Sequence, residues 1–429
     1  MTDRWLFAWG LASVAAGAAS LLVPLYVVAL GGGPVALGVL AATAALAGAP
    51  GAIAVGRVAD RAENRRSILL AALAGLVATL LALPLLGSVP AVVLANAALW
   101  FVVAAVAPVL TMLVVGDAPE SAWNRRIGRL NAVQGYGWAG GLVLGMGWTV
   151  AGARVVSPLV AQRSLFVVLA ACAGGALVGV ARTLPRSTAR PVRPQSRRVA
   201  RFLVESRRAV WSATWLFAPN RLYWTTRDLR LSRLLAGVGR PLATYYAAAV
   251  LFFAGSTAFW APLPALLTGA SFDSGTVFAL YLAASLASAV LYAWAGRLGD
   301  RFELRALQAG ALGARGLLFP SVALLAAAPF LTASGLLSTT ALALALVGAT
   351  WAVIAVVGTA IVTRLAPVAL RAEAIGVYTA LSAVAGGAGG FLGGALAGVS
   401  YTLAFGVAGA LVLAGGAIVL FGPTGTGRR

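Results

Sequence analysis

The chain has 429 residues, of which 61% are hydrophobic and only 10% charged, and its formal net charge at pH 7 is +21. An ordinary globular domain carries about 25% charged residues, so this composition excludes a soluble fold and indicates an integral membrane protein. All 32 basic residues are arginine and histidine is absent, which excludes lysine Schiff-base chemistry and histidine acid–base or metal chemistry. Cys172, the one cysteine, can form neither an internal disulfide nor a zinc site.

Apolar runs bounded by charged residues, Gly or Pro predict twelve membrane-spanning helices. A spanning helix needs about 20 mostly apolar residues, and runs of this length are too long for the strands of a membrane barrel. The first run exceeds the apolar region of a signal peptide, so we expect a retained span. The predicted spans cover residues 5–30, 35–56, 67–87, 89–115, 126–152, 163–182, 241–268, 275–296, 306–330, 336–363, 373–398 and 401–421.

The distribution of arginine predicts the orientation of these spans. Of the 32 arginines, 29 fall in loops and termini on one side, two fall on the other side, and Arg315 lies inside a span. Because cytoplasmic loops are enriched in basic residues, we predict a multi-pass protein of a prokaryotic plasma membrane with both termini cytoplasmic. A basic protein can also bind nucleic acid, but arginines confined to short patches between spans argue against that partner.

A basic segment divides the spans into two sets of six. We predict an N-terminal six-helix half over residues 1–182, a cytoplasmic linker over 183–240 and a C-terminal six-helix half over 241–429. Within the linker, residues 197–224 combine an arginine-rich helical face with aromatic side chains. This composition suits an interfacial helix that binds the anionic lipids of the inner leaflet. A solvated linker is the alternative.

Two motifs recur in the two halves and indicate an internal duplication. The sequence Gly56-Arg57-x-x-Asp60-Arg61-x-Glu63 returns after 240 residues as Gly296-Arg297-x-x-Asp300-Arg301-x-Glu303, each time between the second and third spans of its half. Residues 119–145, which open the fifth span, align with residues 367–393 at an offset of 248. Repeats of this kind are typical of transporters.

The loop pattern Gly-x-x-x-Asp-Arg-x-x-x-Arg, present twice in a twelve-span layout, resembles the diagnostic motif of the major facilitator superfamily. The resemblance implies an all-α integral membrane fold of two pseudo-symmetric six-helix bundles. It also implies that Asp60 and Asp300 each face the opposite half in one gate state and favour the outward-open conformation; ordinary loop charge is the alternative. The residues expected to act in gating are Gly56, Arg57, Asp60, Arg61, Arg65, Gly296, Arg297, Asp300, Arg301 and Arg305.

Both copies of the motif depart from the family pattern. Glu63 and Glu303 stand where the family has a second glycine, which predicts a more helical loop. Glycines spaced four residues apart in the fifth span, Gly137, Gly141 and Gly145, and again in the eleventh, allow helices to approach closely. Such a row serves either as a sliding seam between the halves or as static packing.

The resemblance places a central cavity among the spans that are richest in polar and aromatic residues. Polar side chains at membrane depth are costly without partners or water, which favours a cavity, although each one can instead form a contact between helices. The candidate solute-binding residues are Asn96, Trp100, Asn131, Gln134, Trp138, Tyr245, Trp260, Tyr281, Tyr292, Trp351 and Tyr378.

The distribution of acidic residues argues against proton coupling. All 11 acids lie in loops or at span ends, whereas proton-coupled transporters use titratable groups inside the membrane. Arg315 is the one charge well inside a span, about 13 Å from its start. We expect its side chain to extend to the headgroups or to pair with a loop acid; anion binding is the alternative.

These features predict a monomeric transporter, secondary active or facilitative, that moves a small, neutral or lipophilic solute by alternating access. A non-transporting membrane sensor or scaffold that retains the same fold is the alternative. An enzyme is not expected, because the chain has no histidine or lysine and the spans have no carboxylate away from their ends. We expect no cofactor and no metal ion.

Overall fold

The computed structural model describes residues 4–61, 64–115, 120–185, 239–328, 332–367 and 371–423. Throughout these ranges the regular structure is helical, which confirms the all-α fold class. The helices are α1 (Arg4–Ala29), α2 (Pro34–Arg61), α3 (Arg65–Ala82), α4 (Val89–Val115), α5 (Glu120–Gly152), α6 (Pro158–Thr183), α7 (Arg240–Trp260), α8 (Leu263–Gly269), α9 (Ser274–Arg301), α10 (Leu304–Ala326), α11 (Ala333–Leu365), α12 (Arg371–Ala397) and α13 (Tyr401–Phe421).

Each of the twelve predicted spans coincides with helical structure. The seventh is divided into α7 and α8 near Pro262, whose ring cannot continue a helix with normal hydrogen bonding. Within the described ranges, eleven segments are long and apolar enough to cross a membrane. The helix α5 is not among them, since it begins at Glu120 and combines charged residues with many glycines. The predicted interfacial helix at 197–224 lies outside the described residues.

The chain forms two compact units. The first comprises Met1–Gly32 and Thr43–Arg227, and the second comprises Gly33–Ala42 and Asp228–Arg429. In the first unit, α1 packs against α5 and α6, and α3 packs against α4 and α6. In the second, α7 packs against α12 and α13, and α10 packs against α11 and α13. The same pairing pattern of helices therefore occurs in both units.

A backbone contact through glycine is also present in both units. A Cβ atom at Gly141 of α5 would collide with the carbonyl oxygen of Val14 on α1, and one at Gly389 of α12 would collide with that of Ala254 on α7. Val14 and Ala254 are 240 residues apart and the two glycines 248, the offsets of the two repeated motifs. Because small residues let helices approach closely in lipid, α5 and α12 each lie directly against a neighbouring helix of their own unit.

Candidate functional site

Four aromatic side chains from α7, α11 and α12 meet inside the second unit. We call Tyr245, Phe253, Trp351 and Tyr378 the aromatic cluster. The rings of Tyr245 and Tyr378 are stacked with centroids 6.1 Å apart, and Phe253 lies 5.4 Å from Tyr378 and 6.2 Å from Trp351, edge to face. These separations fall in the range of favourable aromatic pairs. The structure thus brings together three of the predicted solute-binding residues.

Polar groups converge at one end of this cluster. The hydroxyl of Tyr245 donates a hydrogen bond to Oε1 of Gln308, at 2.9 Å. A Cβ atom at Gly358 would lie 2.6 Å from the Tyr378 hydroxyl, 3.1 Å from that of Tyr245 and 3.5 Å from Nε2 of Gln308. The missing side chain of Gly358 therefore leaves room for two phenols and one carboxamide.

Gln308 is the polar residue of this group that sequence reasoning missed. Its side chain is 0% exposed, and its Nε2 donor has no hydrogen-bond partner within the part of the chain that the structure describes. A buried amide donor left unpaired costs about 1–3 kcal/mol, and such a group calls for an explanation such as a ligand.

Phe253 was missed as well, because an apolar side chain in an apolar span carries no polar signal. It follows Tyr245 by eight residues, a spacing that places both side chains on one face of a helix. That spacing on α7 was the signal that could have identified it.

The other candidates of the second unit lie outside the aromatic cluster. The rings of Trp260 and Tyr281 are in edge-to-face contact at 5.2 Å. Tyr292, on α9, is buried.

In the first unit two of the predicted residues are in ring contact. The rings of Trp100 on α4 and Trp138 on α5 lie 6.5 Å apart at an interplanar angle of 45°. Asn96 and Asn131 are buried, and Gln134 is half-buried. This unit therefore offers one loosely opposed pair of indole rings and several amide side chains.

The expectation that Arg315 extends to the headgroups is wrong. The side chain is 0% exposed and turns toward α11, where Nη1 donates hydrogen bonds to the carbonyl oxygen of Val347 at 2.9 Å and to the Thr350 hydroxyl at 3.1 Å. Its guanidinium lies over the rings of Phe319 and Trp351, at 5.2 Å and 5.3 Å from their centroids. Hydrogen bonds and cation–π contacts therefore keep this cation inside the protein.

The structure describes only some of the predicted gating side chains. Nε of Arg65 donates to the carbonyl oxygen of Ala59, and Arg305 donates from both terminal nitrogens to the carbonyl oxygens of Gly422 and Pro423, after the end of α13. A cation there is favourable because a helix C-terminus carries partial negative charge. Arg297 and Arg301 are exposed. For the other predicted gating residues the structure does not describe the side-chain environment; these are Gly56, Arg57, Asp60, Arg61, Gly296 and Asp300.

In the second copy of the loop, only residues 302 and 303 separate the two flanking helices. The helix α9 ends at Arg301, and Glu303 is the N-cap of α10, where its carboxylate accepts a hydrogen bond from the backbone N–H of Ala306 at 2.7 Å. An acceptor at this position satisfies one of the free N–H groups of a helix start. Glu303 thus separates the two helices instead of joining them.

Comparison with known proteins gives a family match and several structural matches. Residues 5–314 match the Major Facilitator Superfamily. The fold is similar to the nucleoside transporter NupG (TM-score 0.68, 12% identity, 99% of this chain and 100% of that one). It is also similar to a variant of the peptide transporter POT (0.67, 18%, 97% and 93%) and to the human organic anion transporter MFSD10 (0.53, 17%, 97% and 98%). No curated protein matches by sequence. At these identities the structural likeness concerns the fold.

Proposed function

Because the chain belongs to the Major Facilitator Superfamily, a family of membrane transporters, we propose that it moves a small, neutral or lipophilic solute across the membrane by alternating access. Transport is either secondary active or facilitative. The observation that carries the solute class is the aromatic cluster with Gln308, which offers ring faces, two phenol hydroxyls and a carboxamide, none of them charged at neutral pH.

The aromatic cluster has the composition of a site for a flat, weakly polar solute. Ring faces bind apolar or aromatic groups, and small-molecule sites combine such surfaces with a few placed polar groups. The unpaired Nε2 of Gln308 supplies a donor for a carbonyl or ring-nitrogen acceptor on the solute. The absent side chain of Gly358 lets the two phenols approach that donor, so a solute acceptor bound to Nε2 would lie next to the phenols.

The direct test is flux into proteoliposomes that contain the purified protein. A panel of neutral aromatic and lipophilic solutes is measured with and without a pH gradient. We expect saturable flux for at least one solute, and flux that is independent of the pH gradient would support facilitative movement. If folded protein gives no flux for any solute of the panel, the sensor or scaffold alternative is favoured instead.

A matched pair of variants tests the site. The double variant Tyr245→Phe with Tyr378→Phe removes the two phenol hydroxyls of the aromatic cluster, while Tyr136→Phe removes one from a side chain that is 79% exposed on α5. We expect the double variant to raise the KM for the transported solute about tenfold. A tenfold change corresponds to a loss of about 1.4 kcal/mol of binding free energy. An equal effect of Tyr136→Phe would contradict the assignment.

We also propose the gating role for the two repeated loops, with Asp60 and Asp300 favouring the outward-open state. Asp60→Asn removes the charge and keeps the shape, so we expect slower transport and a shifted conformational balance, measured by the accessibility of engineered cysteines. Asp273→Asn is the control, because Asp273 caps α9 at a loop without the motif. Unchanged balance in Asp60→Asn would contradict the gating role.

The remaining proposals concern the oligomeric state, the membrane location and topology, and the contact with lipids. We propose a monomer in the plasma membrane with cytoplasmic termini, in which residues 197–224 bind anionic lipids of the inner leaflet. Protease access to tags at both termini in oriented vesicles tests the topology. Binding of a peptide of residues 197–224 to vesicles with and without phosphatidylglycerol tests the lipid contact, which should weaken with salt.

A further inference from the structure

Arg315 occupies the middle of a helix that carries no other charge in its central turns. It lies eleven residues from each end of α10, about 16 Å in either direction at 1.5 Å per residue. The guanidinium stays protonated in proteins, and a buried ion costs several kcal/mol unless it is paired and hydrogen-bonded. The position therefore requires compensating interactions.

The described contacts compensate one part of the guanidinium and leave another part free. Nη1 donates to Val347 and Thr350, and the aromatic rings of Phe319 and Trp351 lie near the cation. Nε and Nη2 have no hydrogen-bond partner in the ranges that the structure covers. These two nitrogens form the edge with which arginine binds a carboxylate through two parallel hydrogen bonds.

The carboxylates with described side chains do not neutralise Arg315. Asp273 accepts a hydrogen bond from the backbone N–H of Thr276 at the start of α9, and Glu303 accepts one from Ala306 at the start of α10. Both serve as helix caps.

The fold itself does not require an arginine at this position. The 240-residue offset that relates the two halves makes Gly75 of α3 the counterpart of Arg315. A Cβ atom at Gly75 would have ordinary contact with the side chain of Val102 on α4, so the first unit packs the equivalent pair of helices without a cation at this position. Arg315 is thus an addition to the second unit and not part of the common packing.

We propose that Arg315 binds one anionic group, a carboxylate or a halide ion, along its Nε–Nη2 edge. Both nitrogens are shielded from solvent in this conformation, so the anion enters when a neighbouring side chain moves. Trp351 is that side chain, because its ring contacts both the guanidinium and Phe253 of the aromatic cluster. The site is reached from the aromatic cluster when the indole of Trp351 rotates.

The anion has two possible sources. A free inorganic anion would make Arg315 an ion site next to a neutral solute. A carboxylate carried by the solute would instead make the solute an aromatic acid, with its ring in the aromatic cluster and its charge on Arg315; this outcome would replace the neutral solute class of the proposed function and leave transport itself untouched. This site goes beyond the proposed function, because anion binding is measurable without any transport.

The first experiment uses the purified wild-type protein in detergent and follows its unfolding temperature. Sodium chloride, acetate or phenylacetate replaces sodium HEPES, the reference salt, at constant ionic strength. We expect a saturable rise in the unfolding temperature. Response to chloride and acetate indicates a free anion, and response to phenylacetate alone indicates a solute carboxylate. The uncharged 2-phenylethanol is the control for stabilisation by the aromatic ring of phenylacetate alone. No saturable rise with any of the three anions overturns the proposal.

Variants then assign the response to the residue. Arg315→Gln should lose the anion-dependent rise, whereas Arg364→Gln, which changes an exposed arginine at the end of α11, should keep it. Arg315→Lys preserves the charge without the planar edge and should weaken acetate or phenylacetate at least tenfold while chloride changes less. A full response in Arg315→Gln overturns the proposal. If the glutamine variant does not fold, unchanged carboxylate affinity in Arg315→Lys overturns it. Neither result affects the flux test of the proposed function.

Discussion

The aromatic cluster of the second unit has no counterpart in the first, although the helix contact beside it does. The glycine contact of α5 on α1 is repeated by α12 on α7 at the equivalent positions. The counterparts of Tyr245, Phe253, Gln308 and Tyr378, at the two offsets, are Trp5, Ser13, Ile68 and Leu130. Duplication thus preserved this backbone packing and not the side chains of the aromatic cluster and Gln308.

Ser13 illustrates the difference. Its hydroxyl donates to the carbonyl oxygen of Trp9 within α1, at 3.3 Å, as serines in apolar helices commonly do. At the equivalent place, Phe253 contacts Trp351 and Tyr378 on two other helices. A polar residue satisfied inside its own helix adds little to recognition, whereas side chains that meet from several helices form a surface for a ligand.

The largest expected effect comes from disrupting the glycine contact that the two units share. Gly141→Ala and Gly389→Ala each place a Cβ against a backbone carbonyl that cannot move unless two helices separate. We expect each to destabilise its unit by about 3 kcal/mol, the upper end of the usual cost of overpacking. Thermal unfolding in detergent is the measurement. Gly174→Ala, where nothing lies within 4 Å of the added atom, should leave stability unchanged; equal tolerance at all three sites would refute the shared contact.

The next effect concerns the carboxamide that distinguishes the two units. Gln308→Leu leaves the Tyr245 hydroxyl buried without its acceptor, which should cost about 2 kcal/mol of stability. Ile68→Leu at the counterpart position conserves volume and should cost less than about 1 kcal/mol. Both are measured by unfolding in the same detergent. Similar losses would mean that Gln308 acts by shape alone.

A smaller effect separates recognition from stability. Tyr245→Phe and Tyr246→Phe each remove a buried hydroxyl that donates a hydrogen bond, to Gln308 and to the carbonyl oxygen of Ala374 respectively. Each should cost about 1 kcal/mol of stability. Solute affinity should fall in Tyr245→Phe only, as measured by equilibrium binding. A parallel loss of affinity in Tyr246→Phe would place recognition outside the aromatic cluster.

The smallest effect is expected in the first unit. Trp100→Phe weakens one aromatic contact between rings 6.5 Å apart and should cost about 0.5 kcal/mol, with less than a twofold change in solute affinity. Trp351→Phe, in the aromatic cluster, should change affinity more. Equal changes in the two variants would show that both units contribute equally to recognition.

Much of the fold was predictable, and so were several residues of the candidate site. Tyr245, Trp351 and Tyr378 were expected at the site because aromatic side chains with polar atoms stand out in apolar spans. Phe253 has no such atom, and Gln308 lies only four residues after the start of α10, where a polar residue near a membrane surface needs no special explanation. Gly358 contributes because it has no side chain that would clash with the two phenols. This contribution can be recognised only from the positions of the neighbouring residues in the folded protein.

Amino-acid sequence by itself determined the class of protein, the twelve helices and the duplication. Each depends on local physics: in lipid an apolar run of sufficient length must satisfy its backbone as a helix, and a repeated motif is read directly from residue spacing. Tertiary structure alone decided which side chains meet. The burial of Arg315 against α11, instead of its extension to the headgroups, depends on Val347, Thr350 and Trp351, more than thirty residues away in the chain. Contacts between distant segments arise from helix packing, and no local pattern specifies them.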